Sequence, residues 1–149
     1  MAAVDIERVR TARLTGSRPV FRDADELHPV LADERVATWL WGDRPPTPAQ
    51  VRTLLVRDAD HWKRHRWGPW VVRDSATGQA VGRVGLKRTT VLGVDDVEVA
   101  WAIAADRWGE GLATEMAAEA VRVAFDQLEL PDLVAFTPSR CPATPRRWP

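Results

Sequence analysis

The sequence predicts an α+β (α/β layered) fold, in which a mixed, mostly antiparallel sheet is flanked by helices. Three observations carry this prediction. Apolar residues recur at helical spacing over residues 23–65, they alternate with a period of two over residues 70–103, and a glycine turn then leads from a strand into another helix. An element that is apolar on one side must bury that side against another element, so this order of elements favours stacked layers around a shared core.

The first part of the chain is predicted to contain a strand region and three helices. The strand region covers residues 9–22 and is interrupted by glycine and proline. The first helix opens at Asp23, and the second is short and runs from Asp33 to Leu40. The third follows Thr47-Pro48, an N-cap residue with a proline at the first helical position, where its missing N–H costs nothing. It is amphipathic and ends near His65.

The middle of the chain is predicted to form an antiparallel meander. A strand at 70–74 is followed by a hairpin turn at 75–78 and a returning strand at 81–87, whose two glycines indicate a bulge. Gly93 closes the next turn. The following strand alternates clearly and places four apolar side chains on one face: Val97, Val99, Trp101 and Ile103.

A glycine turn connects this strand to the next helix. Gly109 and Gly111 flank a single residue, and glycine is needed where the backbone takes a positive φ or approaches a ligand closely. The first N–H groups of a helix are unpaired and carry partial positive charge, so the turn predicts an anion site. No Gly-Lys-Ser/Thr follows and the third glycine is missing, so it matches neither a P-loop nor a dinucleotide fingerprint. Pro131 stops the helix, and Leu133–Phe136 is predicted as a short, buried parallel strand.

Composition excludes several classes of function. The 21 basic and 21 acidic residues balance, so no basic surface points to nucleic acid. No apolar run is long enough for a membrane segment and the N-terminus has no signal-peptide core, so we expect a cytoplasmic protein. Cys141 is the single cysteine, which excludes an internal disulfide framework and a cysteine-rich zinc site. No metal is expected.

The strand–turn–helix segment also carries a family resemblance. Val97-Glu-Val-Ala-Trp101 with Trp108-Gly-Glu-Gly-Leu-Ala-Thr-Glu-Met116 resembles the acetyl-coenzyme A motif of the GNAT acetyltransferases. It looks most like the branch with the ribosomal-protein N-terminal alanine acetyltransferases (RimJ/RimL-like). Thr11-Ala-Arg-Leu14 and Asp33-Glu-Arg-Val-Ala-Thr-Trp-Leu40 look like that branch's opening segments, and the resemblance runs from about Thr11 to Thr137.

The resemblance implies an N-acetyltransferase that moves acetyl from acetyl-coenzyme A to a primary amine, either a protein N-terminus or a small-molecule amine. The strand around Ile103 would pair with the pantetheine arm, and the sheet would open between this strand and Leu133–Phe136. Relatives usually carry arginine, lysine or glutamine at position 110, so a carboxylate there predicts weakened cofactor affinity by repelling a nearby phosphate. The residues implied to hold the pyrophosphate through backbone N–H groups are Gly109, Glu110, Gly111, Leu112, Ala113 and Thr114.

Glu98 is the candidate catalytic residue, because it matches an acidic position common in this branch. A partly buried glutamate with a raised pKa could take the proton from the acceptor ammonium. The alternative is a carboxylate paired to an arginine across the sheet. We expect the three histidines, His28, His61 and His65, to be solvated, and Lys63–Arg66 to form a solvated basic helix end. We expect three tryptophans to lie in the core rather than in an acceptor pocket: Trp62, Trp67 and Trp70.

The last residues look unlike the rest of the chain. Four prolines and three arginines crowd into 138–149 without any apolar period, so the acetyltransferase domain is predicted to cover 1–137 and the tail to be disordered. Such a composition is typical of a GC-rich gene translated out of frame, which would make the chain a relative that lacks the family's last helix and strands. The 133–136 strand would then form an exposed edge that invites self-association, so a homodimer is expected. The alternative function is a degenerate, non-catalytic coenzyme A binder.

Overall fold

A computed structural model describes residues 5–42 and 44–136, together with the backbone of 146–148. Its strands form one sheet in the order β1-β2-β3-β4-β5-β6-β7, in which β5 and β6 are parallel and the other neighbours are antiparallel. The elements are β1 (Arg8–Arg10), β2 (Leu14–Ser17), α1 (Asp23–Ala32), α2 (Glu34–Leu40), α3 (Pro48–His65), β3 (Pro69–Asp74), β4 (Ala80–Val91), β5 (Val94–Ile103), α4 (Leu112–Arg122), β6 (Leu133–Ala135) and β7 (Arg146–Trp148). The predicted mixed, mostly antiparallel sheet flanked by helices is confirmed.

Helices α2 and α3 begin where the sequence predicts, because their caps are local. Asp33 accepts a hydrogen bond from the Arg35 N–H at the start of α2. Thr47 and Gln50 form a reciprocal capping box at the start of α3, with Pro48 at its first position. Helix α3 ends where Arg66 takes the left-handed conformation, at φ 64°.

The sheet carries a hydrophobic cluster on each face, because successive strand side chains point to opposite sides. Trp70 and Val72 of β3 enter the cluster that contains α4, whereas Val71 between them enters the cluster built with α1, α2 and α3. Trp62 and Trp67 are buried in the first cluster as well. The three tryptophans therefore belong to the core, as expected, and not to an acceptor pocket.

The predicted strand region at 9–22 resolves into the short β1–β2 hairpin rather than one interrupted strand. Gly16 of β2 packs so closely under α4 that a Cβ atom there would collide with the Met116 side chain. The glycine therefore allows contact between strand and helix instead of breaking the strand.

The β4–β5 hairpin is longer than predicted, since β4 continues to Val91. Its two-residue turn has positive φ at both Leu92 and Gly93, the geometry that matches the right-handed twist of paired strands. A register shift separates the pairs Val72↔Gly82 and Arg73↔Ala80, in the part of β4 where the glycines indicate a bulge.

The C-terminal half of the sheet corrects one expectation. After α4 the chain continues through a π-helical segment (Val123–Gln127) into β6, which lies parallel to β5 as predicted. Strand β6 is not the edge of the sheet, because the backbone of β7 pairs with it antiparallel. The exposed edge from which we expected a homodimer is thus covered by β7. Residues 137–145 and 149, with Cys141, lie outside the described residues, and the domain boundary stays a prediction.

Candidate functional site

A cleft of about 950 Å³ opens between α2, the second half of β5, the start of α4 and Phe136, which follows β6. Its lining contains every predicted site residue except Glu110. The predicted residues in the lining are Glu98, Ile103, Gly109, Gly111, Leu112, Ala113 and Thr114, and further lining residues include Val36, Trp39, Leu40, Trp101, Arg107, Trp108 and Phe136.

The floor of the cleft is the place where two parallel strands separate. Strands β5 and β6 pair at Glu98↔Val134, and β5 then continues to Ile103 while β6 ends at Ala135. The Ala104 N–H donates to Val81 of β4, so the peptide groups of Ile103 point the opposite way, toward the cleft. An extended, amide-containing chain could add to this free side of β5.

Two tryptophans stand beside this free strand side. The Trp108 indole Nε1–H donates to the Ile103 carbonyl at 2.8 Å, and that oxygen keeps a second lone pair. Trp101, which the alternation grouped with the inward-facing Val97 and Val99, is 39% exposed and lines the cleft. Both side chains therefore line the cleft rather than pack in the core.

The N-terminus of α4 has the features of an anion site. Gly111 is its N-cap with φ 81°, and Gly109 has φ 84°, both in the left-handed region that favours glycine. No side chain of the described residues caps this helix, so the first-turn N–H groups at 112–114 lack an intrahelical partner. A Cβ atom at Gly109 would meet nothing within 4 Å, which shows the open space in front of the turn. The residues present therefore fit a pyrophosphate.

Arg13 is a part of this site that the sequence reasoning missed. Its Nη1 donates to the Glu110 carbonyl at 2.9 Å, and its Nε and backbone N–H donate to the Glu115 carboxylate at 2.8 and 3.0 Å. Thr11 Oγ1 donates to the same carboxylate at 2.6 Å. Burial alone would raise the pKa of Glu115, but these hydrogen bonds together lower it. Arg13 thus holds the glycine turn and brings positive charge beside it; its only sequence signal is its place in the family-like opening segment.

The Glu110 side chain does not act as the isolated negative charge that we expected. Arg107 Nε donates to it at 2.8 Å, and Arg107 Nη1 donates to Asp74 at 3.0 Å. The hydrogen bond from Arg107 lowers the pKa of Glu110, so the carboxylate is ionised but paired with a cation. The expected repulsion of a phosphate is correspondingly reduced. The backbone of Glu110 still forms part of the turn.

Glu98 combines both interpretations offered for it. Its side chain is 14% exposed, and burial raises its pKa, although the charges of Lys87 and Arg83 oppose the shift. The cross-strand neighbour Lys87 places its Nζ 3.7 Å from Glu98 Oε2, so the carboxylate pairs with a lysine rather than with the expected arginine. A carboxyl with a raised pKa in a cleft is a reasonable proton acceptor.

The histidines lie away from the cleft, but His61 is not the solvated residue that we expected. Its Nδ1–H donates to the Trp67 carbonyl at 2.9 Å, and its Nε2 accepts the Arg88 N–H at 2.9 Å. Burial lowers the pKa of His61. It therefore acts as a neutral structural bridge between the end of α3 and β4. Lys63, Arg64 and Arg66 are exposed, as expected for a solvated helix end.

Two other features are absent from the described residues, a membrane-spanning helix and a metal-binding cluster. No helix there is both long and apolar enough to cross a membrane. Within the same residues, no group of three or more histidine, cysteine, aspartate or glutamate side chains could hold a metal ion.

Comparisons with known proteins agree with this geometry. The chain is similar to the structure of an acetyltransferase from Agrobacterium tumefaciens str. C58, with a TM-score of 0.76, 24% identity, and coverage of 94% of this chain and 79% of that one. The ribosomal-protein-S5-alanine acetyltransferase from Vibrio fischeri gives a TM-score of 0.68 at 15% identity over 86% and 72% of the two chains. The microcin C7 self-immunity acetyltransferase MccE, solved in complex with acetyl-CoA and AMP, gives 0.67 at 11% identity over 89% and 74%.

At these identities the structural likenesses show the fold alone. The family model described as an acetyltransferase (GNAT) domain goes further, because it matches residues 13–140. This protein therefore belongs to the GNAT acetyltransferase family and is an acyltransferase that depends on acetyl-CoA.

Proposed function

We propose that the protein transfers acetyl from acetyl-CoA to a primary amine by direct attack of that amine on the thioester. The observation that carries the proposal is the position of Glu98. It lies at the point where β5 and β6 separate, within the same cleft as the uncapped start of α4. A proton acceptor and an anion site thus face one space.

The chemistry requires a neutral amine, because an ammonium has no lone pair to attack a carbonyl carbon. In this proposal Glu98 accepts a proton from the ammonium, directly or through one water. The amine nitrogen then forms a bond to the acetyl carbon and the carbon–sulfur bond breaks. The proton that the new amide nitrogen loses passes to the released thiolate. The backbone N–H groups of the glycine turn hold the pyrophosphate, and the free side of β5 near Ile103 pairs with the pantetheine amides.

The proposed acceptor is a protein N-terminus or a small-molecule amine. The RimJ/RimL-like motifs favour the first, and the Vibrio fischeri neighbour is named for acetylating the alanine of a ribosomal protein.

The test measures thiol release from acetyl-CoA by the purified chain with a panel of primary amines and amine-terminated peptides. Calorimetry with coenzyme A on the same preparation reports binding separately. Binding together with amine-dependent thiol release is the expected result. If the chain binds coenzyme A but no amine in the panel releases thiol, the alternative of a non-catalytic coenzyme A binder replaces the proposal.

A further inference from the structure

The wall of the cleft that faces away from the glycine turn is apolar and exposed. Trp39 and Leu40 end α2 and are 53% and 48% exposed, although side chains of this size are usually buried. Trp101 of β5 adds a third exposed apolar surface at 39%. All three line the same cleft. Trp39 and Leu40 form an apolar wall on the α2 side of the sheet, whereas Trp101 projects from the opposite face of β5.

The charged groups of the cleft lie at its two ends. Among the described residues that line it, Glu98 and Arg107 are the charged ones. Arg107 is tied to Glu110 beside the glycine turn, at the end that suits a phosphate. Glu98 lies on the same face of β5 as Ala102, which packs into the cluster built with α1, α2 and α3. Its side chain therefore faces the same side of the sheet as α2.

This arrangement defines what an acceptor must carry. One end of the acceptor site presents a carboxylate, which suits an ammonium group and repels another carboxylate. Lys87, at 3.7 Å from Glu98, partly offsets that charge but lies beside it on the neighbouring strand. The rest of the wall offers apolar surface, so burying an apolar group there stabilises the complex whereas a polar group would lose its water.

We propose that the acceptor is a primary amine that bears a large aromatic or branched aliphatic group next to the amine and has no carboxylate beside it. The ammonium lies toward Glu98, and the apolar group packs on Trp39 and Leu40. This inference rests on the proposed function and adds the class of acceptor to it. Two sources share this chemistry: a free arylalkylamine, and a peptide N-terminus whose first side chain is large and apolar.

The test compares kcat/KM for ethylamine, phenethylamine and phenylalanine, and for two short peptides that begin with glycine or phenylalanine. We expect phenethylamine to exceed ethylamine at least about tenfold, since apolar pockets discriminate by about 10- to 200-fold for each methylene. Phenylalanine, with its carboxylate beside the amine, should be poor. A preference for the phenylalanine peptide over phenethylamine identifies the peptide as the source, and the reverse identifies the free amine.

Variants assign the preference to the wall. Trp39→Ala should bring the ratio of phenethylamine to ethylamine close to one. Phe21→Ala is the matched control, because Phe21 is also exposed, at 67%, but does not line the cleft, and it should leave the ratio unchanged. Calorimetry of phenethylamine binding to the chain loaded with coenzyme A gives a readout independent of turnover, in which Trp39→Ala weakens binding and Phe21→Ala does not.

The outcomes separate this inference from the function on which it rests. Equal turnover of ethylamine and phenethylamine, with intact thiol release, overturns the acceptor class and leaves the acetyltransferase function standing. Absence of thiol release with every amine overturns the proposed function. If phenethylamine then also fails to bind, or binds Trp39→Ala equally well, the apolar wall is not an acceptor site.

Discussion

Replacing Gly111 by alanine should weaken coenzyme A binding, while its loss of stability should be similar to that caused by the same substitution at a glycine outside the cleft. Gly111 has φ 81° at the N-cap of α4, and a Cβ atom there would meet only Arg13 Nη2, at an ordinary contact distance of 3.6 Å. The substitution therefore causes no collision within the protein. Gly78 is the matched control, since it has φ 75°, no heavy atom within 4 Å of its notional Cβ, and a position in the β3–β4 turn outside the cleft.

The two variants should lose similar stability. A non-glycine residue in the left-handed region costs roughly 1–2 kcal/mol. For a chain of this length, about 1 kcal/mol lowers Tm by about 2–4 °C. Of the two variants, only Gly111→Ala adds a methyl group at the start of α4, where we propose that the phosphate meets the first-turn N–H groups. Loss of one hydrogen bond to a charged group, at about 1.5–3 kcal/mol, raises Kd by about 10- to 150-fold.

Calorimetric titration with coenzyme A and thermal unfolding of both variants measure the two effects. Equal shifts in Tm with a selective loss of affinity in Gly111→Ala are expected. If Gly111→Ala binds coenzyme A as tightly as Gly78→Ala does, the pyrophosphate does not contact this turn and the site assignment is wrong.

Three further predictions concern side chains. Glu98→Gln should lower kcat by about 10²- to 10⁴-fold with little change in the KM for acetyl-CoA. In the wild type, activity should fall as pH falls through the raised pKa of Glu98, and Lys87→Met, which removes a positive charge beside Glu98, should move this acidic limb of the pH–activity profile to higher pH. An acidic limb that Lys87→Met leaves in place would count against Glu98 as the base. Arg13→Gln should raise the KM for acetyl-CoA more than kcat falls, whereas Arg64→Gln, which breaks the exposed Arg64–Asp60 ion pair on α3, should not. Equal effects of the two substitutions would show that Arg13 acts only on stability. Because burial lowers the pKa of His61 below its ordinary 6.5, the free energy of unfolding should fall as pH falls from 6.5. His61→Gln should reduce this dependence of the unfolding free energy on pH, measured by urea unfolding at several pH values. An unchanged dependence would refute the role of His61 as a neutral bridge between the end of α3 and β4.

Local sequence signals determined most of the fold. The Thr47-Pro48 cap, the period-two run that ends at Ile103 and the two glycines around residue 110 each act on backbone within a few residues, so the sequence alone predicts the elements that they start or end. The same signals, with the family resemblance, identified Glu98 and the glycine turn as candidate site residues. The structure places them in one cleft.

Tertiary structure alone decided which charges act together and which apolar residues remain outside the core. Arg13 meets Glu115 across 102 positions, and Arg107 meets Asp74 across 33, so neither pair follows from any spacing in the sequence. Trp101 has the alternation of a core residue but is exposed and lines the cleft. Periodicity indicates which way a side chain points. Burial and ion pairing depend in addition on which distant element packs against that side chain in the folded protein.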